Sequence, residues 1–101
     1  MQINVEVVDH KARISLNGRF DFNSHREFRH SYDSPLKTGA VSELEVDLGE
    51  VQYLDSSALG MLLMLKEKAQ AADKSITLSN CRGTVKEVLD IANFGKLFNI
   101  R

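Results

Sequence analysis

The segment Leu54-Asp55-Ser56-Ser57-Ala58-Leu59-Gly60 sets an acid and two hydroxyls between an apolar run and the strongest helical pattern in the chain. A helix beginning there leaves about four N–H groups unpaired and presents the positive end of its dipole. Asp and Ser are the residue types that cap such an end, so one reading of the triplet is an N-cap and nothing more. The other reading is a phosphoacceptor. A serine at a helix N-terminus carries a phosphate in a favourable field. That phosphate would add about −1.5 to −2 charge beside Asp55 and change what the surface binds without refolding the domain. A serine nucleophile fits poorly, because Leu54 and Asp55 precede Ser56 and the G-x-S-x-G elbow is absent. His10, His25 and His30 all fall in the first third of the chain among polar residues, so no catalytic residue is assigned and the chain is read as a non-enzyme. Asp21, three residues past Gly18, is either a plain loop or helix-start acid or a second member of the site. Loops at one end of a sheet lie side by side, which would put Asp21 beside the Asp55-Ser56 loop.

The elements that must position these residues follow from periodicity. Ile3, Val5 and Val7 alternate, as do Ala12, Ile14 and Leu16, and the polar Asp9-His10-Lys11 break between them predicts a hairpin ending at Gly18. Phe28 and Tyr32 share a helical face, with Asn23 or Ser24 as N-cap and Glu27 completing a capping box with Ser24. Pro35 predicts that this helix stops before it. Leu44 to Leu48 predicts a central strand, Gly49-Glu50 a turn, and Ala58 to Ala72 a helix whose first half is mostly buried. Met61 and Met64 read as core filler. Ser75 to Ser79 predicts a short strand. Thr84 to Ala92 predicts an amphipathic helix capped by Thr84 with Glu87, and Leu97, Phe98 and Ile100 are expected to pack back on the sheet. The order β-β-α-β-α-β-α is an α/β fold with a mixed sheet covered by helices.

Composition narrows the function further. The 101 residues make one domain, 1–101, too small for a deep two-lobed cofactor cleft. Thirteen basic and fourteen acidic residues give a net charge of −1, so no long-range field draws the chain to nucleic acid or an acidic membrane. One cysteine, Cys81, and three scattered histidines form no metal-ligand pattern. The N-terminal residues lack the pattern of a signal peptide, and the longest apolar run, Ala58 to Leu65 with Gly60 inside it, is far short of the ~20 residues that span a bilayer. A cytoplasmic location is expected. No G-x-x-x-x-G-K-[ST] loop supports nucleotide binding, and no cofactor is expected.

Asp55-Ser56-Ser57-Ala58-Leu59-Gly60, preceded by Val51-Gln52-Tyr53-Leu54, resembles the signature of STAS-domain anti-sigma-factor antagonists. Gly18-Arg19-Phe20-Asp21, Val46-Asp47-Leu48 and Gly95-Lys96-Leu97-Phe98 are similar to further family segments, so the resemblance covers nearly the whole chain. It implies the STAS fold: a four-stranded mixed sheet with an N-terminal hairpin, backed by three or more helices. It implies that Ser56 is phosphorylated by a kinase of the anti-sigma type, with Ser57 as the fallback acceptor, and that a metal-dependent serine phosphatase reverses the reaction. The unphosphorylated form would bind an anti-sigma factor or related regulator, through a surface expected to include Asp21, Asn23, Asp55, Ser56, Ser57 and Leu59. Ala58 stands where Gly is commoner, which makes a firmer helix start by ~1 kcal/mol. The aromatic and basic loop Arg19-Phe20-Asp21-Phe22-Asn23 resembles a branch of Gram-negative single-domain antagonists tied to response-regulator phosphatases, which leaves the partner open between an anti-sigma factor, a diguanylate-cyclase-type protein and another switch target. The alternative is a constitutive structural STAS subunit of a transporter or lipid-transport complex, in which Ser56 is only a cap.

Overall fold

The alternating apolar residues of the first twenty positions pair as expected. In the computed structural model, which describes residues 1–101, β1 (Gln2–Val8) and β2 (Lys11–Phe20) form an antiparallel hairpin running from Gln2 opposite Asn17 to Val8 opposite Lys11. Asp9 and His10 make the turn, and Asp9 takes the left-handed conformation at φ 56°. The second strand does not end at Gly18 but continues to Phe20. Gly18 sits at φ +110°, a backbone state that side chains rarely adopt, and as glycine it lets the strand run through that position.

After a 3-10 turn (Phe22–Ser24), α1 spans His25–Lys37 and runs through Pro35. The expected stop before proline fails: the helix carries two residues past it, Leu36 and Lys37. Pro35 forgoes a single helical hydrogen bond near the end, its ring is buried, and its own carbonyl accepts from Thr38 N–H at 3.3 Å. The Ser24–Glu27 capping box is also absent. Asp21 caps the preceding 3-10 turn, and Ser24 is used there.

β3 (Glu43–Leu54) is one long strand, with no turn at Gly49-Glu50. It pairs parallel with β2 and carries an extra residue between Asp47 and Glu50, and another between Val51 and Tyr53. Such bulges keep the strand paired while re-aiming its end. Gly49 serves the first: a Cβ there would lie 3.1 Å from both Asn80 Cβ and Asp47 Oδ1. α2 (Ser56–Ala71) follows, then β4 (Ser75–Ser79), α3 (Gly83–Ile91) and β5 (Asn99–Ile100). α3 begins at Gly83 with Arg82 before it, so Thr84 lies inside the helix and is not its cap.

The sheet order is β1-β2-β3-β4-β5, antiparallel between β1 and β2 and parallel elsewhere. It has five strands where four were expected, the fifth being two residues long. One face is apolar: Ile14, Leu16, Leu44, Val46 and Leu78 are buried under Phe28 and Tyr32 of α1 and Leu62 and Leu65 of α2. Phe20, Phe28 and Tyr32 pack ring against ring, the first pair tilted and the second edge-on, with ring centroids 5.0 and 5.3 Å apart. Phe98 closes the core, while Leu97 is exposed.

Candidate functional site

Phe20 and Leu54 are register partners at the ends of adjacent parallel strands. The chain therefore leaves the sheet twice at one place, as Asp21 after β2 and as Asp55 after β3. Parallel neighbours lie about 4.8 Å apart, so the two acid-bearing loops form one rim. This is the juxtaposition expected of Asp21. Each acid starts a helical segment. Asp21 Oδ1 accepts the Asn23 N–H at 3.0 Å, and its own N–H donates to Ser24 Oγ at 3.4 Å. Asp55 Oδ1 accepts the Ala58 N–H at 3.0 Å.

That last bond divides the labour within the triplet. Asp55 is the N-cap of α2, so neither serine is needed for capping. Ser56 is the first residue of the helix and is exposed; Ser57 is the second and is half-buried. A phosphate on Ser56 would stand at the positive helix end, flanked by Asp55 and, across the rim, by Asp21.

Ser56, Leu59, Gly60 and Leu63 recur at the spacing of one helical face. Leu63 and the adjacent Met64 are exposed, Gly60 is open, and Leu59 is half-buried. The expected burial of the helix's first half is thus incomplete: Met61 is core, but Met64 is not. Phe22, 73% exposed, projects from the 3-10 turn that packs beside α2. Arg19 lies with its guanidinium 4.2 Å from the centroid of the Tyr53 ring and 3.6 Å from Asp21 Oδ2. Sequence reading missed Phe22 on its turn, and it missed Gly60, Leu63 and Met64 as surface residues because the apolar run from Ala58 to Leu65 hid the stripe. The signal was the four-residue phase shared with Ser56. Asn23 is exposed at the rim, and His25 and His30 are exposed on α1.

The opposite face of the sheet carries a second polar cluster. Glu45, with its side chain 8% exposed, accepts hydrogen bonds from Lys11 Nζ at 3.1 Å and Ser79 Oγ at 2.7 Å, and pairs with Arg13 and Arg101. Burial pushes the Glu45 carboxyl up, but the Ser79 and Lys11 bonds and the Lys11 and Arg13 charges outweigh it and hold the group below its ordinary range. Asp47 follows the same balance: burial raises it, and the Asn80, Gly49 and Arg13 hydrogen bonds with the Arg13 charge bring it down. No group of three or more His, Cys, Asp or Glu side chains is arranged to hold a metal ion. Cys81 is half-buried beyond β4, and burial pushes its thiol up to about 11. No helix is long and apolar enough to cross a membrane.

With this geometry in place, the chain can be set beside known proteins. A family model described as the Mlab, STAS domain matches residues 3–99. A STAS-domain containing protein of Pseudomonas aeruginosa (strain UCBPP-PA14) is 45% identical over 87 residues, covering 86% of this chain and 84% of the relative. The anti-sigma factor antagonist SpoIIAA in its unphosphorylated form superposes with a TM-score of 0.76 at 22% identity, over 99% of this chain and 87% of that one. The Bacillus SpoIIAA in its phosphorylated form gives 0.75 at 21% identity, over 99% and 91%. An anti-sigma factor antagonist from Mycobacterium paratuberculosis gives 0.85 at 18% identity, over 98% and 83%. At these identities the structures establish a common fold.

Proposed function

From the premise that the chain belongs to the STAS-domain family, we propose that it is an anti-sigma-factor antagonist switched by phosphorylation of Ser56. One observation carries the proposal. Ser56 is exposed at the start of α2, the capping role beside it is already filled by Asp55, and it heads a stripe of solvent-facing apolar residues. The unphosphorylated rim offers Leu59, Leu63 and Phe22 as apolar contacts, with Asp21, Asn23, Asp55 and Ser57 as polar ones. A partner with an apolar patch and polar, hydrogen-bonding margins fits it. The phosphate then acts as a charge in the wrong place: it adds to the two carboxylates that already line the rim, and any partner carboxylate brought near it is repelled.

On this reading the chain is a binding module and not an enzyme. Its partners are an anti-sigma factor with serine-kinase activity and a metal-dependent serine phosphatase that resets it. It requires no cofactor. The test is phosphorylation by the cognate kinase and ATP, followed by intact-mass measurement and peptide mapping. One phosphate on Ser56, lost in Ser56→Ala, is expected. Equal incorporation into Ser56→Ala, or a map to Ser57, would overturn the assignment to Ser56. A constitutive transporter-associated subunit would instead show no kinase-dependent incorporation and the same partners in both states.

A further inference from the structure

The sheet has two edges, and they are finished differently. β5 is two residues long and is followed at once by Arg101, so it offers almost no ladder to a newcomer. Shortness and charge are ordinary ways to blunt an edge. β1 has neither protection. It pairs with β2 over all of Gln2–Val8 without a bulge, it contains no proline or lysine, and Glu6 is its only charged residue. Every second peptide of β1 points its N–H and C=O away from β2, toward open space. Val5 and Val7, on the face that the helices cover, are 38% and 54% exposed, and Val8 on the other face is 55% exposed.

We infer that the β1 edge is the docking surface for a second copy of this chain, joined β1 to β1 in antiparallel register about a two-fold axis at Val5. Ile3, Val5 and Val7 face the same side of the sheet as Leu16, Ile14 and Ala12, their partners in β2. An antiparallel two-fold pairing keeps each face with itself. Centred on Val5, it sets Val5 against Val5 and Ile3 against Val7 twice, a continuous apolar row. On the other face, Asn4 meets Glu6 twice and Gln2 meets Val8 twice. No like charges oppose one another, and the amides meet an acid and an apolar chain. Centring on Glu6 would put two carboxylates face to face; centring on Asn4 would leave Val8 unpaired. The Val5 register uses the whole strand and avoids both defects. The contact is isologous, so it closes as a dimer and does not propagate. It lies on the hairpin, across β2 from β3 and the Ser56 rim, and therefore leaves both rims of a dimer free.

The test is light scattering after size exclusion, with the intact chain loaded from about 5 to about 200 µM. A rise from one chain mass to two with concentration is expected. Val5→Lys, which sets two ammonium groups together at the axis, should weaken the dissociation constant about tenfold or more while circular dichroism stays native. The register is read with two further variants. Asn4→Lys gains two cross-strand pairs with Glu6 and should tighten the dimer; Asn4→Glu opposes Glu6 twice and should weaken it. A wild-type chain that stays monomeric at the highest concentration overturns the inference, as does a dimer that Val5→Lys leaves intact. Equal behaviour of the two Asn4 variants overturns the register. A Ser56→Asp chain should dimerise like wild type, which separates this surface from the proposed switch.

Discussion

Two regions of this molecule are built from the same residue types and are wired in opposite ways. On the open sheet face, Glu45 and Asp47 have their oxygens engaged by Lys11, Arg13, Ser79, Asn80 and the Gly49 N–H. At the strand-end rim, Asp21 and Asp55 each spend one oxygen on a cap, and beside them an exposed serine and an apolar stripe face solvent. A cluster whose bonds are all made internally holds a fold together. A cluster that caps economically and leaves a hydroxyl free has capacity for a partner. Saturation, more than the presence of acids and hydroxyls, separates the two.

The comparison can be broken from either side. Glu45→Ala removes a buried acceptor from Ser79 and from three cationic groups, and should cost about 2–3 kcal/mol of stability in urea unfolding. Phosphate incorporation at Ser56 by the folded variant should be unchanged. Loss of incorporation at full folding would mean that the two regions are coupled. The same cluster sets an acid limit. Glu45 and Asp47 titrate below their unfolded values, so their stabilisation is full above about pH 4 and is lost as the pH falls through the lower folded values. Glu45→Gln should flatten that loss in acid unfolding curves.

At the rim, the effects on stability are smaller. Asp55→Ala removes the α2 cap and should cost about 1 kcal/mol. Asp21→Ala caps only a three-residue turn and should cost about half of that, measured in the same unfolding series. Gly60→Ala should raise stability by up to about 1 kcal/mol, because a helical Gly gives way to the best helix former and the new Cβ meets nothing within 4 Å. Its partner affinity should nonetheless fall, since the added methyl stands in the stripe between Ser56 and Leu63. A variant that is both more stable and equally tight would place the contact elsewhere.

Much of this was legible in the chain. Alternation located β1, β2 and the first part of β3, the apolar run located α2, and the triplet Asp55-Ser56-Ser57 marked the rim. Periodicity did not reveal where Gly49 continues a strand, because a bulge and a turn draw on the same residues. Pro35 misled as well: it forgoes one helical hydrogen bond, and the burial of its ring that offsets this loss is a fact of tertiary context. Division of the cap was equally hidden. Asp, Ser and Ser are each good caps, and only the Asp55–Ala58 bond shows which residue does the work and which is left free. Leu63 and Met64 looked buried because an apolar run carries no phase of its own; the phase came from Ser56.

The central claim is that a charge at Ser56, and not a change of fold, decides binding. The direct measurement is calorimetric titration of the proposed anti-sigma partner with four forms: unphosphorylated, phosphorylated, Ser56→Asp and Ser56→Ala. One charge opposed at contact distance near a protein surface is worth about 2 kcal/mol or more, which is at least about 30-fold in affinity. The phosphorylated form is expected to bind at least that much more weakly than the unphosphorylated form, with Ser56→Asp between them and Ser56→Ala as tight as the unphosphorylated chain. Equal affinity for all four would contradict the account.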